Sequence, residues 1–442
     1  MKKNLALLFK EDYLGVYPSL INSIKIFCRT NYKTTIVGFS YKSQFPNTPK
    51  FDNNLKYFLK EKDIIIDRDY LLEKNSKSNT SCSKWFSLNS CIKILNRIPI
   101  LSLIFDNIQS YKEQLLEFYD IYDFFSHLKD FFKHNKTDLV IAVDSLTLIS
   151  AYLHKIIYRK NYLIVFWSLE ISSFRSNKLL HRILHRLELK SLLIIDIFLS
   201  QSQERGLEVL RPHKIKLSNL LFYSIPHSRC SLNTGHVRYY YFNEKFSITK
   251  TDIILLHLGW IHDVMDSYQL TQSTLNWTMN HHLVMHERAK RTINEPYINK
   301  INNLGSNKLS LSLSPVDYNS LNNIINSCDI GLVIYKPQGY GYSWHNIAKA
   351  SGKLADYLAF GKPVICSDLP DLTTLIHKYN CGLVFHSYEE IPDLVCKIMS
   401  NYQYYSKNSF DCFNKEFDFE IFFDPFLKGL KSVTHKSNSE LV

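Results

Sequence analysis

No run of about 18 uninterrupted apolar residues occurs in the sequence, so it offers no membrane-spanning helix. Glycine and proline are scarce, 13 of each in 442 residues, which argues against fibrous or linker-rich architecture. The nine cysteines are odd in number and scattered, with no C-x-x-C pair. That pattern speaks for free thiols in a reducing cytosol rather than disulfides or a zinc site. The opening MKKNLALLFKEDY is basic and then apolar, but its apolar run, Leu5–Phe9, is too short for a signal-peptide core and reads as a first strand. Acidic residues are the scarcer sign, 41 against 53 Lys and Arg, giving a net charge of +12. A basic surface attracts polyanions, whether nucleic acid, anionic lipid or phosphorylated substrates, and charge alone does not choose among them.

What the chain does contain is a globular balance, 45% hydrophobic and 21% charged. Its length exceeds what one core fills, so two domains are expected. Apolar runs alternate with helical segments. Strands are expected at Asn4–Phe9, Thr34–Phe39, Asp63–Ile66, Asp138–Val143, Tyr162–Phe166 and Leu193–Leu199, with helices from Pro18, over Tyr111–Lys133, Ser145–Tyr158 and Asn177–Lys190. The wholly apolar DLVIAV is typical of a strand buried on both faces of a parallel sheet. Residues 227–250 are polar and tyrosine-rich and read as a linker. Alternation restarts at Ile253–Leu258 and continues through His282–His286, Lys308–Leu313, Asp329–Tyr335, Pro363–Cys366 and Gly382–Phe385. The expectation is an α/β protein with two doubly wound, Rossmann-like domains, 1–226 and 251–402, facing each other across a cleft. The segment 403–442 carries FDFEIFF, too apolar for a free tail, and is expected to pack back on the first domain.

The chemistry concentrates in ASGKLADYLAFGKPVICSDLP, Ala350–Pro370. Ser351 can cap a helix starting at Gly352, whose free N–H groups and dipole suit an anion. Lys353 adds a charge in the same turn. Asp356 lies on the same face, where a carboxylate can accept hydrogen bonds from ribose hydroxyls. Phosphate at one end and sugar at the other describe a nucleotide. An ordinary amphipathic helix with a Lys–Asp pair fits the spacing equally well.

The stretch DIGLVIYKPQGYGYSWHNIAKASGKLADYLAFGKPVICSDLPDLTTLIHKYNCGLVF, Asp329–Phe385, resembles the donor-nucleotide half of GT-B glycosyltransferases, especially glycosyltransferase family 4. LLHLGWI (Leu255–Ile261) resembles that family's glycine turn, placing Gly259 near the donor, and DLVIAVDSLTLISAYL and LIVFWSLEI resemble acceptor-domain strands. Of the family's two glutamates, the ribose-binding second falls on Asp356 and the first on Ala348; the basic residue after the glycine turn falls on Trp260. Arg288 and Lys336 are alternative sources of positive charge, alongside Lys353. His286, Tyr340 of the GYGY segment and Asn346 complete the expected donor pocket.

In the first half, Asp144 and Glu170 follow strands, where a carboxylate can orient or deprotonate an acceptor hydroxyl. Loop carboxylates that cap the next helix would look the same, Asp144 especially. DRD at Asp67–Asp69 reads as a solvated turn rather than a metal motif, and HHLVMH (His281–His286) has no carboxylate or cysteine spaced to complete a metal site. A lone glycine, Gly15, is weak evidence for close backbone approach to a ligand. Lys178, Arg182, Arg186 and Lys190 recur every four residues opposite an apolar stripe, which suits either an anionic membrane surface or a solvated face. The apolar Ile98–Ile108 is a second candidate for membrane contact, or a buried helix.

The resemblance implies a cytoplasmic glycosyltransferase, retaining configuration, that moves a sugar from a nucleotide-sugar donor to a hydroxyl of a glycan or lipid-linked glycan in bacterial surface glycan biosynthesis. It needs no metal or other cofactor, and the basic helix adds a peripheral membrane position. The rivals are a GT-B nucleotide-sugar epimerase and a non-catalytic glycan-binding scaffold. Nucleic-acid binding lacks any supporting module.

Overall fold

The computed structural model describes residues 3–10, 17–30, 32–41, 55–62, 118–171, 179–231, 239–277, 280–317, 320–336 and 344–439. The expectations for Gly15, Asp63–Ile66, Asp67–Asp69, Ile98–Ile108, Lys178 and Tyr340 lie outside the described residues.

Seven strands build the first sheet: β1 Lys3–Leu8, β2 Tyr32–Tyr41, β3 Leu55–Lys62, β4 Leu139–Val143, β5 Leu163–Ser168, β6 Ile197–Ser200 and β7 Phe222–Ser224. They lie in the order β3-β2-β1-β4-β5-β6-β7, and every pairing is parallel. All five β4 residues are buried, as a strand covered on both faces requires. Six strands build the second sheet: β8 Ile253–Gly259, β9 His281–Glu287, β10 Leu309–Ser312, β11 Ile330–Val333, β12 Val364–Ser367 and β13 Gly382–Phe385. Their order is β10-β9-β8-β11-β12-β13, again wholly parallel.

Strand order therefore reverses twice, at β1 between β2 and β4, and at β8 between β9 and β11. Doubly wound sheets bind ligands in the crevice beyond the carboxyl ends of strands at such switch points.

Several elements differ from the sequence reading, among them β3, which was not expected at Leu55–Lys62. The helix Leu179–Leu192 runs further than expected, so Leu193 falls in an exposed turn and β6 begins at Ile197. The helix Gln203–Leu210 and the short edge strand β7 were missed; three residues of strand are too few to show a period. Residues 239–250 join the second core rather than forming a loose connector, because Phe242 of the helix Tyr241–Phe246 is fully buried there.

The C-terminal segment divides. The helix Tyr402–Glu416 packs on the second domain through Cys412 and Phe413. The helix Phe419–Ser439 returns to the first domain, burying Phe419, Phe423, Phe426 and Leu430 against Leu5, Ile24, Phe27 and Trp167. Their spacing of four, three and four residues is one helical face.

The helix Gly352–Ala359 is seated on the second sheet by Tyr357. Its hydroxyl donates to the Leu256 carbonyl at 2.6 Å and accepts from the Leu258 N–H at 2.9 Å. A Cβ on Gly331 of β11 would come within 2.3 Å of the Tyr357 ring, so only glycine lets the helix sit this close. That seating aims the helix N-terminus at the crevice beyond β8 and β11.

Candidate active site

Ser351 is the N-cap of Gly352–Ala359, accepting from the Leu354 N–H at 3.3 Å. Its oxygen also lies 2.7 Å from the Tyr335 hydroxyl, just past β11. Gly352 meets the first domain: a Cβ there would approach the His227 ring to 2.9 Å. That ring is held by Ser19, 2.7 Å from Nδ1, while the His227 N–H donates to the Lys349 carbonyl at 2.8 Å. Burial, with the Arg205 charge adding, pushes His227 down to about 4, so it is neutral at physiological pH.

Lys353 turns its ammonium back over the end of β11. It donates to the Ile334 carbonyl at 2.9 Å and lies 4.1 Å from the centre of the Tyr335 ring. Burial first, and the Arg288 guanidinium second, push its ammonium down to about 7. Arg288 follows β9, with its guanidinium 5.4 Å from the Trp260 ring centre, and Trp260 stacks on His262. Thus Trp260, where the sequence resemblance implied a basic residue, lies against Arg288. Gly259 ends β8 with φ of 115°, a backbone conformation that favours glycine, and a Cβ there would meet nothing within 4 Å.

The opposite wall is Glu170. Surrounding protein raises its carboxyl above the usual range although the residue is exposed, and Arg205 and Arg288 oppose that rise. Arg205 belongs to the first domain and Arg288 to the second, so both domains act on one carboxylate. Asp144 lies behind it. One carboxylate oxygen accepts from the N–H groups of Leu169 and Glu170, both at 2.8 Å. Asp144 adopts φ of 63°, a costly conformation for a residue with a side chain. Its role here is to hold the turn that carries Glu170.

Two of these residues were not legible in the sequence. Arg205 is held by Gln201 at 2.8 Å and by the Leu169 carbonyl at 3.3 Å. Its signal was Ser202, an N-cap that accepts from the Arg205 N–H. Glu287 is fully buried and accepts from the N–H groups of Ile261 and Arg288, tying together the turns after β8 and β9.

Other expected donor residues have different surroundings. Asp356 is turned away from the crevice toward the connector, where Arg229 Nε donates to its Oδ1 at 2.6 Å. Both side chains are buried, so a ribose partner is not what the structure gives this carboxylate. Nor does it pair with Lys353. His286 faces into the second domain, with Nδ1 2.9 Å from the Ser312 hydroxyl, and burial pushes it down to about 4. Lys336 pairs with Asp263 at 2.9 Å in an exposed position. Asn346 donates to Glu208 of the first domain and so bridges the two domains. At Ala348, the N–H donates to Asp371 at 2.6 Å, and burial pushes that carboxyl up to about 7.

Arg182, Arg186 and Lys190 are exposed on their helix. Among the described residues, no helix is long and apolar enough to cross a membrane.

No protein-family model matches the sequence. No curated protein matches it either. Solved structures do. The chain is similar to sucrose-phosphate synthase from Thermosynechococcus elongatus, at 10% identity and a TM-score of 0.61, over 98% of this chain and 100% of that one. It is similar to Alr3699/HepE of Anabaena, solved with UDP and glucose, at 11% identity and 0.60, over 97% and 99%. It is also similar to α,α-trehalose 6-phosphate synthase from Burkholderia multivorans, at 13% identity and 0.60, over 100% and 99%. What is shared at such identities is architecture, and it agrees with the two parallel sheets and their opposed switch points: the chain has the GT-B fold of these glycosyltransferases.

Proposed function

We propose that this chain is a glycosyltransferase that moves a sugar from a nucleotide-sugar donor to a hydroxyl of a glycan acceptor. The observation that carries the reading is the convergence of Arg205, Arg288 and Lys353 with Glu170 in one crevice between two switch points. The capped helix N-terminus, Lys353 and Arg288 supply the positive charge that a departing diphosphate needs. The reading calls for no metal. Glu170, with its raised carboxyl, orients the acceptor hydroxyl or takes its proton. Asp144 holds the turn on which Glu170 sits.

Retention of configuration and a place in bacterial surface glycan synthesis follow from the family resemblance. The exposed Arg182, Arg186 and Lys190 suit a lipid-linked acceptor at an anionic membrane surface. UDP-sugars are the first donors to test, because HepE was solved with UDP-glucose.

The test is release of nucleoside diphosphate from a panel of nucleotide-sugars, with glycan acceptors present. Wild type should turn over one of them. Glu170→Gln should lower that turnover by about 10²–10⁴-fold, with nucleotide affinity little changed. Full activity in Glu170→Gln would remove its catalytic role. A nucleotide-sugar that is isomerised without release of diphosphate would replace the transferase with an epimerase, and binding without any turnover would leave a scaffold.

A further inference from the structure

We infer that the first domain carries a transition-metal site of the zinc class on His185, Glu188 and His213, outside the crevice. One ligand atom from each lies within 4.8 Å of the others. His185 and Glu188 are three residues apart on the helix Leu179–Leu192, a spacing that puts them on one face. His213 ends the turn Arg211–His213 that follows the helix Gln203–Leu210. Its ring stacks on that of His185, centres 4.1 Å apart and 17° from parallel.

The surroundings are those of a built site. Glu188 is 3% exposed and His213 is 8% exposed. The Glu188 partners are the Ser145 hydroxyl and His213 Nε2 at 2.9 Å, and no lysine or arginine is among them. A buried carboxylate needs a counter-charge, supplied by a protonated partner or a metal. His213 Nδ1 is buried with no partner, while the ring's other nitrogen, Nε2, is the one that meets Glu188. His185 is half-buried and gives an ion a way in.

Zinc takes histidine and carboxylate ligands at about 2.0–2.2 Å, which separates tetrahedral donors by roughly 3.4 Å. To meet at one ion the two imidazoles, now 17° from parallel, must turn so that their in-plane lone pairs converge. Imidazole donors favour zinc, nickel or copper over magnesium and calcium. Ser145, from the helix Asp144–Ile157, is the outer partner that orients the carboxylate. An ion here ties the helix Leu179–Leu192 to the turn after Arg205, bracing a wall of the crevice from behind.

The test uses the full chain stripped with chelator. Zn²⁺ should raise the melting temperature and Mg²⁺ should not. One equivalent of Co²⁺ should give the visible absorption of a tetrahedral site. His185→Ala, at a half-buried position, should abolish both effects while unfolding cooperatively without metal as wild type does. Ser145→Ala should weaken Co²⁺ binding by about 10–100-fold. The inference fails if wild type shows no Zn²⁺ shift, or if His185→Ala keeps the full shift and spectrum. Either result would leave Glu188 and His213 as a buried hydrogen-bonded pair.

Discussion

Replacing Lys353 by alanine should weaken UDP binding by roughly 10- to 100-fold and leave uridine binding unchanged. The ammonium sits in the first turn of a capped helix, beside Arg288 and over the Tyr335 ring. A hydrogen bond to a charged group contributes about 1.5–3 kcal/mol, which sets the size of the loss. Uridine has no phosphate, so its affinity also reports whether the pocket remains folded. Calorimetry of both ligands on both proteins is the measurement. Equal losses for UDP and uridine would remove the phosphate role from Lys353.

A second large effect is expected on stability. Asp356→Ala should cost about 3–5 kcal/mol, because it leaves the Arg229 guanidinium buried without its carboxylate. Arg229 is 2% exposed, and it also donates to Asn322 at 2.7 Å and lies 5.0 Å from the Phe360 ring centre. These contacts position the cation without neutralising it. The double variant Arg229→Met/Asp356→Leu should recover most of the loss, since apolar replacement of a whole buried pair is often neutral. Urea unfolding of wild type and the two variants decides the matter. A single-variant cost below about 1 kcal/mol would mean that the pair does not join connector to second domain as described.

Asp356 also shows where a sequence stops being readable. Its helix, its cap and its place one turn beyond Lys353 were legible, because they depend on residues a few positions apart. Its partner was not, because Arg229 is 127 positions away and nothing local marks it. The same division runs through the molecule. DLVIAV declared a buried parallel strand by its own composition, and FDFEIFF declared by its apolar character that the C-terminal segment packs back on the fold. Glu170 was legible as a carboxylate after a strand. Arg205, which acts on it, lay in a helix that the sequence reading missed. His286 and Lys336 were named for residue type near strand ends, but only the folded chain gives them Ser312 and Asp263 as neighbours.

A donor diphosphate resting on Lys353, as proposed, leaves a signature in pH. Burial and Arg288 hold this ammonium down to about 7 in the free protein. A bound diphosphate favours the charged form and raises that value. Affinity should therefore be greatest below pH 7 and fall as pH rises above it, by up to about tenfold per unit, until the bound-state value is reached. Binding near pH 8 should take up close to one proton. UDP-glucose is the probe of choice, because its diphosphate does not titrate in this window. His227 and His257, held down to about 4 and about 3, do not titrate there either. Glu170 is present in wild type and variant alike, so the difference between their profiles isolates Lys353. The direct test is the affinity for UDP-glucose from pH 6.5 to 9 in wild type and Lys353→Ala. The expected result is a steep fall in wild type and a much flatter profile in the variant. Coincident slopes, or no measurable binding of UDP-glucose or any other nucleotide-sugar to wild type, would contradict it.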